Sequence, residues 1–100
     1  MVVEYIRYAL TSHSGEELVE AYREAARHLE AAPEALGWEL ARCTEDPTQF
    51  ILRIEWDSAE GHLEGFRKGA HFPPFLAAIR PFIGEIAEMR HYQPTGVASA

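Results

Sequence analysis

The amino-acid sequence predicts a single α+β domain in which an antiparallel four-stranded sheet carries its helices on one face. Three observations support this prediction. Apolar and polar side chains alternate from Phe50 to Asp57, and a period of two is typical of a half-buried strand. Ser14 and Glu17 form an S-x-x-E capping box, which starts a helix. Strand and helix signals follow one another in the order βαββαβ over 100 residues, a length that suits one domain.

The first half of the chain contains a strand, a helix and a second strand. Residues 2–10 are rich in β-branched and aromatic types, and both faces of this predicted strand carry apolar side chains. After the capping box, apolar residues recur at helical spacing until Pro33 and Gly37 end the helix near Ala31. We expect the second strand over residues 38–44.

The second half begins with a tight turn at residues 45–48, where Asp and Pro occupy positions that such turns favour. The third strand is expected at residues 49–56. Asp57 or Ser58 then caps a second helical region, which several glycines weaken. A further helical piece is expected to begin at Pro73, since proline is favourable in the first turn of a helix.

Residues 84–92 form the predicted fourth strand and complete the order βαββαβ, which is the ferredoxin-like arrangement. We assign residues 1–93 to this domain and expect the tail of residues 94–100 to be mobile, because it has nothing to pack against. The helices would cover only one face of the sheet and leave apolar side chains on the other. Pairing two such faces in a homodimer would cover them and produce a dimeric α/β barrel.

Charge and composition narrow the classes of partner. Nine basic against sixteen acidic residues give a formal charge of −7, so we expect no binding to nucleic acid or to an anionic membrane surface. No apolar run approaches the ~20 residues needed to cross a bilayer, and the first strand does not resemble a signal peptide. The single Cys43 fits a reducing compartment, which predicts a cytoplasmic protein.

The sequence contains none of the short motifs that usually hold metals or nucleotides. Its histidines and cysteine do not form HxH, HxxxH, HExxH or CxxC. Gly61, Gly65 and Gly69 lie within a predicted helix, whereas a phosphate-binding loop would follow a strand. From these spacings we expect neither a metal nor another cofactor.

Four short stretches match a known protein family. They are EYIRY in the first strand, G-W-E-L-x-R-C in the second, I-L-R-I-E-W-x-S at the end of the third, and H-L-x-G-F-R in the second helix. Together these stretches resemble the antibiotic biosynthesis monooxygenase (ABM) family of dimeric α/β barrels, over residues 3–93. The resemblance implies the ferredoxin-like fold and a homodimer. Oxygenases of this family that act on aromatic polyketides use neither metal nor flavin.

The haem-degrading branch of the same family is a poorer match. Its pattern has an Asn in the first strand, a Trp late in the second helix, and a His about nine residues later as the iron ligand. The corresponding positions here hold Ile6 or Arg7, then Phe66, then Phe75. Haem binding through His71, four residues before the expected ligand, is therefore only a third hypothesis.

A pocket between the sheet and the second helical region is the predicted site. His62 and Phe66 share a helix face, and His62 or His71 could remove a phenolic proton. The alternative for each histidine is structural: His62 half-exposed beside the core, and His71 at a helix start. Arg7 could stabilise an anion or form a salt bridge with a glutamate. The predicted catalytic residues are His62, His71 and Arg7. The predicted substrate-binding residues are Tyr5, Trp56, Phe66, Phe72 and Phe75.

The resemblance implies a cofactor-independent monooxygenase that acts on a small aromatic or quinol-like molecule. The alternative is a non-catalytic module that binds a small hydrophobic ligand or assists a redox protein. A basic side chain facing a closed pocket would favour the enzyme. A pocket too small for an aromatic ring would favour the binding module.

Overall fold

The computed structural model describes residues 1–100 and contains four strands and two α-helices in the predicted order. A π-helical turn at Gly61–Phe66 precedes the second α-helix, and a 3-10 turn at Arg80–Glu85 follows it. The regular elements are β1 (Val2–Ala9), α1 (Gly15–Ala31), β2 (Ala35–Arg42), β3 (Gln49–Trp56), α2 (Phe72–Ile79) and β4 (Ile86–Tyr92).

The four strands form one antiparallel sheet in the order β2-β3-β1-β4. β1 lies inside the sheet, where Ile6 is opposite Leu52 of β3 and Met89 of β4. The helices α1 and α2 contact each other. This strand order and helix placement confirm the predicted ferredoxin-like fold. The sheet of the single chain is open, with β2 and β4 as its two edges.

The hydrophobic core lies between the helices and one face of the sheet. Alternate residues of β3 point into it, and Phe50, Leu52, Ile54 and Trp56 are all at most 2% exposed. Burying side chains of this size stabilises a fold by about 1.5–3 kcal/mol each. The helical part of this core comes from the buried stripe of α1, which consists of Leu18, Tyr22, Ala25 and Leu29.

The capping box fixes the start of α1 as the sequence predicts. The Ser14 hydroxyl accepts the Glu17 amide proton at 3.2 Å, and the Glu17 carboxylate accepts the Ser14 amide proton at 2.9 Å. Such a cap is typically worth about 1 kcal/mol. The carboxylate of Glu85 stabilises the preceding loop by accepting hydrogen bonds from the backbone amides of Thr11 and Ser12, each at 2.7 Å.

The strand bounds differ from the predicted ones at the second and fourth strands. β2 begins at Ala35, three residues before the predicted start, because Ala35 pairs with Trp56 across a bulge. β4 begins at Ile86 instead of residue 84, because the 3-10 turn continues to Glu85. The weakened helical region is the π-helical turn. It gives way to turn residues around Gly69, where an added Cβ would lie 2.7 Å from the Gly65 carbonyl oxygen.

The sheet face opposite the helices mixes charged and aromatic side chains. Tyr5 packs edge-on against Tyr92 at a ring distance of 5.5 Å. Arg53 forms an ion pair with Glu55 at 2.6 Å. Arg7 donates instead to the Gln49 side-chain oxygen at 3.3 Å.

Candidate functional site

An apolar cavity of about 200 Å³ lies between the helix-covered face of the sheet and α2. Its walls come from the π-helical turn, α2, the following 3-10 turn and the inward side chains of β1, β3 and β4. Five of the predicted site residues line it, namely Trp56, His62, Phe66, Phe72 and Phe75. The remaining lining residues are Glu4, Ile6, Ile54, Arg67, Leu76, Ile79, Ile83, Ile86 and Met89.

Aromatic rings form one wall of the cavity. The imidazole of His62 stacks on the indole of Trp56, with ring centroids 4.3 Å apart and an interplanar angle of 8°. Phe66 packs against Trp56 at 5.0 Å and against Phe75 at 5.4 Å. The predicted shared face of His62 and Phe66 is thus an inward face, because both side chains are almost completely buried.

Three polar side chains meet where this wall reaches the sheet edge. His62 Nδ1 lies 2.7 Å from His91 Nε2, and Arg67 Nε donates to His62 Nε2 at 3.2 Å. Because Arg67 has no acceptor, His62 Nε2 carries the lone pair and the proton is on Nδ1, from which it is donated to His91. The resulting hydrogen-bond chain runs from Arg67 through buried His62 to exposed His91.

A buried glutamate completes this group of polar side chains. Glu4 is 1% exposed, and its Oε1 accepts a hydrogen bond from Trp56 Nε1 at 3.1 Å. Its other oxygen, Oε2, is buried without a hydrogen-bond partner. Glu4 Oε1 also lies 3.6 Å from His62 Nε2. We call Glu4, His62 and His91 the polar triad.

Burial sets the protonation of the polar triad. Burial is the main cause that lowers the pKa of His62 to about 3, and the electrostatic effects of Arg67 and His91 act in the same direction. Burial raises the pKa of Glu4, against the lowering effects of the Trp56 hydrogen bond and of the electrostatics of His91 and Arg67. His62 is therefore neutral at neutral pH, and its contact with Glu4 is not an ion pair there.

The polar triad can act chemically in two ways. Neutral His62 offers a lone pair that can accept a proton, and the exposed His91 can pass a proton to water. The same three residues also offer two imidazole nitrogens and a carboxylate oxygen, which are ligand types for a divalent metal. One ligand atom of each residue can be chosen so that all lie within 4.8 Å of one another.

The structure places the other predicted site residues away from the cavity. Tyr5 and Arg7 lie on the opposite face of the sheet, because neighbouring residues of β1 alternate between its two faces and Glu4 and Ile6 take the cavity side. His71 precedes the first residue of α2, where its carbonyl accepts the Phe75 amide proton at 3.3 Å. His71 therefore lies at a helix start, which is the structural alternative to a catalytic role.

Sequence reasoning did not select Glu4, Arg67 or His91 for the site. Their positions depend on long-range pairing: Glu4 and Trp56 are 52 residues apart, and His62 and His91 are 29 apart. The one available signal was strand alternation, which puts Glu4 on the same face as Ile6 and Tyr8. A charged residue on a core face indicates a buried functional group or a buried partner.

Three other depressions offer less chemistry, and one of them, of about 340 Å³, lies beside Glu30 and the start of β2. A wide one of about 600 Å³ between α1 and the sheet is lined mainly by apolar side chains such as Val19, Trp38 and Leu40. The third, of about 250 Å³, contains Arg7 and Cys43 on the far side of the sheet. None of the three contains a histidine, so the cavity beside the polar triad is the candidate site. None of the helices combines the length and the apolar composition that a membrane span requires.

Comparisons with known proteins agree with this architecture. The family model described as "Antibiotic biosynthesis monooxygenase" matches residues 1–78. The uncharacterized protein YczJ of Bacillus subtilis (strain 168) is 27% identical over 78 residues, which cover 78% of this chain and 82% of YczJ.

Solved structures share the fold at lower identity. SnoaB, a cofactor-independent oxygenase from Streptomyces nogalater, superposes with a TM-score of 0.77 at 13% identity, over 96% of this chain and 94% of SnoaB. A Bordetella bronchiseptica protein that is named provisionally for the same family gives a TM-score of 0.75 at 21% identity, over 94% of this chain and 96% of that one. At these identities the likeness shows the fold alone.

Proposed function

This chain belongs to the antibiotic biosynthesis monooxygenase family, and on that premise we propose that it oxygenates a small aromatic or quinol-like molecule. The observation that carries the proposal is the apolar cavity that ends at the lone pair of a neutral histidine. An aromatic substrate would fill the apolar part. Its hydroxyl group would point to His62 and Arg67.

The size of the cavity limits the substrate. Its volume of about 200 Å³ is below the ~300–1,000 Å³ of pockets for drug-sized ligands, and above the ~150 Å³ of an apolar cavity that holds benzene. One ring or two fused rings would therefore fit. Phe66 and Phe75 offer ring faces and edges for stacking with such a ligand.

The hydrogen-bond chain suggests how the substrate would lose its proton. The hydroxyl proton would move to His62 Nε2, while the His62 Nδ1 proton moves to His91 Nε2 and His91 releases its own Nδ1 proton to water. The Arg67 guanidinium, which now donates to His62 Nε2, would then stabilise the substrate oxyanion. The electron-rich anion would react with O₂. For a hydroquinone, one oxygen atom enters the ring as a hydroxyquinone oxygen and the other leaves as water, with the substrate supplying the electrons.

Oxygen uptake by the purified chain with 1,4-dihydroxynaphthalene tests this proposal, after subtraction of the rate without protein. The His62→Gln variant should lower the rate by ~10²-fold, the usual worth of a general base. The matched control is His28→Gln on α1, far from the cavity, which should retain the wild-type rate. Equal rates for wild type and His62→Gln would contradict the proposal.

The second candidate is non-catalytic binding of a small aromatic ligand. The low pKa of His62, about 3, favours this candidate because so weak a base accepts a proton reluctantly. Saturable binding of the naphthalene probe without any protein-dependent oxygen uptake would support the binding module and refute the oxygenase.

We also propose that the chain forms a homodimer through the sheet face opposite the helices. That face carries half-exposed Tyr5 and Tyr92 beside the arginines of the open sheet, and Tyr92 is 50% exposed in the single chain. A specific interface would bury more than ~1,200 Å² in total. Sedimentation at micromolar concentration should show twice the chain mass of 11.3 kDa, and a species of only that mass would refute the dimer.

A further inference from the structure

We propose that the polar triad of Glu4, His62 and His91 binds one divalent transition-metal ion. Two imidazole nitrogens with one carboxylate oxygen are a ligand set that zinc and non-haem iron use in proteins. The three residues come from β1, the π-helical turn and β4, and ligand atoms of all three lie within 4.8 Å of one another. The inference concerns binding alone and holds whether or not the chain is an oxygenase.

The side chains of the polar triad are close enough to share one ion after a change in side-chain conformation. Metal–ligand bonds of about 2.0–2.2 Å place adjacent ligand atoms roughly 3–3.5 Å apart. His62 Nδ1 is 2.7 Å from His91 Nε2, and His62 Nε2 is 3.6 Å from Glu4 Oε1. These two distances involve different nitrogens of the His62 ring, whereas an ion binds only one of them. A shared ion therefore requires the imidazole rings to turn until one nitrogen of each faces the Glu4 carboxylate, and the ligand atoms are already within 4.8 Å of one another.

The orphaned oxygen of Glu4 is an independent indication of a cationic ligand. Glu4 is 1% exposed, and Oε2 is buried without a hydrogen-bond partner. Buried carboxylate oxygens are normally paired with a donor or coordinate a metal. His62 cannot supply a proton to this carboxylate in its present tautomer, because its Nε2 accepts from Arg67.

The surroundings of the polar triad resemble the support of a metal site. Metal ligands are usually held by outer hydrogen bonds that fix their orientation. Trp56 orients two members of the polar triad: its indole donates a hydrogen bond to Glu4 Oε1, and it stacks on the His62 ring. Exposed His91 opens a path for the ion from solvent. Three protein ligands would leave an open coordination position, as in catalytic zinc sites.

Arg67 is the group that competes with the ion. Its guanidinium stays protonated and occupies His62 Nε2 at 3.2 Å, so it both blocks one ligand atom and repels a cation. The Arg67 side chain also reaches the Met89 sulfur at 3.8 Å, on the exposed side of the site. Removing its charge should therefore strengthen metal binding, although the same change should weaken stabilisation of a substrate anion.

Titration of the metal-free full chain with Co²⁺ tests the site without substrate. Visible absorption bands report inner-sphere coordination, and calorimetry gives the affinity and stoichiometry. We expect one Co²⁺ per chain. Because His91 is exposed, His91→Gln should keep the wild-type circular dichroism and bind at least about tenfold more weakly, the lower end of the loss seen even for outer partners of metals. Arg67→Gln should bind several-fold more tightly.

His28→Gln is the matched control, and its affinity should equal that of the wild type. Equal affinity of His91→Gln and wild type would place the ion elsewhere and overturn the site. Absence of Co²⁺ bands in the wild type at millimolar metal would mean that a proton or a water molecule satisfies Glu4 Oε2. Because no substrate or oxygen takes part, loss of the proposed oxygenase activity alone would leave this result unchanged.

Discussion

Replacing Trp56 by Phe should expose how strongly the fold depends on the hydrogen bond to Glu4. Trp56 is fully buried, and its indole Nε1 donates to Glu4 Oε1 at 3.1 Å. Because Glu4 Oε2 already lacks a partner, Trp56→Phe would leave the whole carboxylate without a hydrogen-bond donor. A hydrogen bond to a charged group is worth about 1.5–3 kcal/mol, and the smaller ring adds a packing loss.

A double-mutant cycle with Glu4→Met separates these two losses. The packing loss of Trp56→Phe occurs beside Glu4 and beside Met alike, so it cancels in the cycle. Removing both polar partners is close to neutral apart from packing, whereas removing either one leaves the other unsatisfied. We expect a coupling free energy of about 1.5–3 kcal/mol between the two positions.

Urea denaturation followed by far-UV circular dichroism measures all four proteins of the cycle. With a slope of ~1–3 kcal/mol per molar urea, a free-energy difference of the size of this coupling shifts the urea midpoint by roughly 1 M. Effects that simply add, within about 0.5 kcal/mol, would show that Trp56 does not hold the Glu4 carboxylate. The geometry of the polar triad would then lose its main support.

Two further predictions concern parts of the fold outside the cavity. Burial by itself would raise the pKa of the Glu85 carboxyl. Hydrogen bonds from the Ser12 amide, the His13 ring and other amides of the loop outweigh this effect and lower the pKa to about 2. A depressed carboxylate pKa contributes stability that is present above about pH 4.5 and is lost as the pH falls toward 2. The free energy of unfolding of Glu85→Gln should therefore depend less on pH between those two values than that of the wild type. Tyr22→Phe should lower the free energy of unfolding by about 1–3 kcal/mol, because it leaves the buried Tyr8 hydroxyl without its partner.

Each of these predictions has a result that would contradict it. An unchanged acid-unfolding profile in Glu85→Gln would mean that the loop amides do not depend on the Glu85 charge. For the tyrosine pair, the double variant Tyr8→Phe with Tyr22→Phe should recover part of the loss measured for Tyr22→Phe. Losses of Tyr8→Phe and Tyr22→Phe that simply add in the double variant, within about 0.5 kcal/mol, would exclude a mutual hydrogen bond as the cause.

Local patterns in this sequence predicted the fold well. The alternation over residues 49–56 predicted β3 with its observed bounds, and the Ser14–Glu17 box predicted the start of α1. Both signals depend on contacts within a few residues, which is why they are legible without a structure. The order of elements then indicated the ferredoxin-like topology, since few other arrangements suit βαββαβ.

The candidate site could be predicted only in part, because long-range strand pairing builds half of it. Helical spacing placed His62 and Phe66 together on the cavity wall. The neighbours of His62 follow instead from the register of β1 with β4, which sets Glu4 opposite His91. The sequence does not encode that register in any short window. The alternation of side chains along β1 explains why Arg7 faces away from the cavity, because Arg7 is an odd number of residues from Glu4.

The most direct test of the proposed function is a crystal structure of the chain with 2-hydroxy-1,4-naphthoquinone, the product expected from the naphthalene probe. We predict that its rings lie in the cavity between Phe66 and Phe75, with one oxygen within hydrogen-bond distance of His62 Nε2 and the Arg67 guanidinium. A ligand bound instead in the depression between α1 and the sheet, or on the open sheet face, would contradict the account.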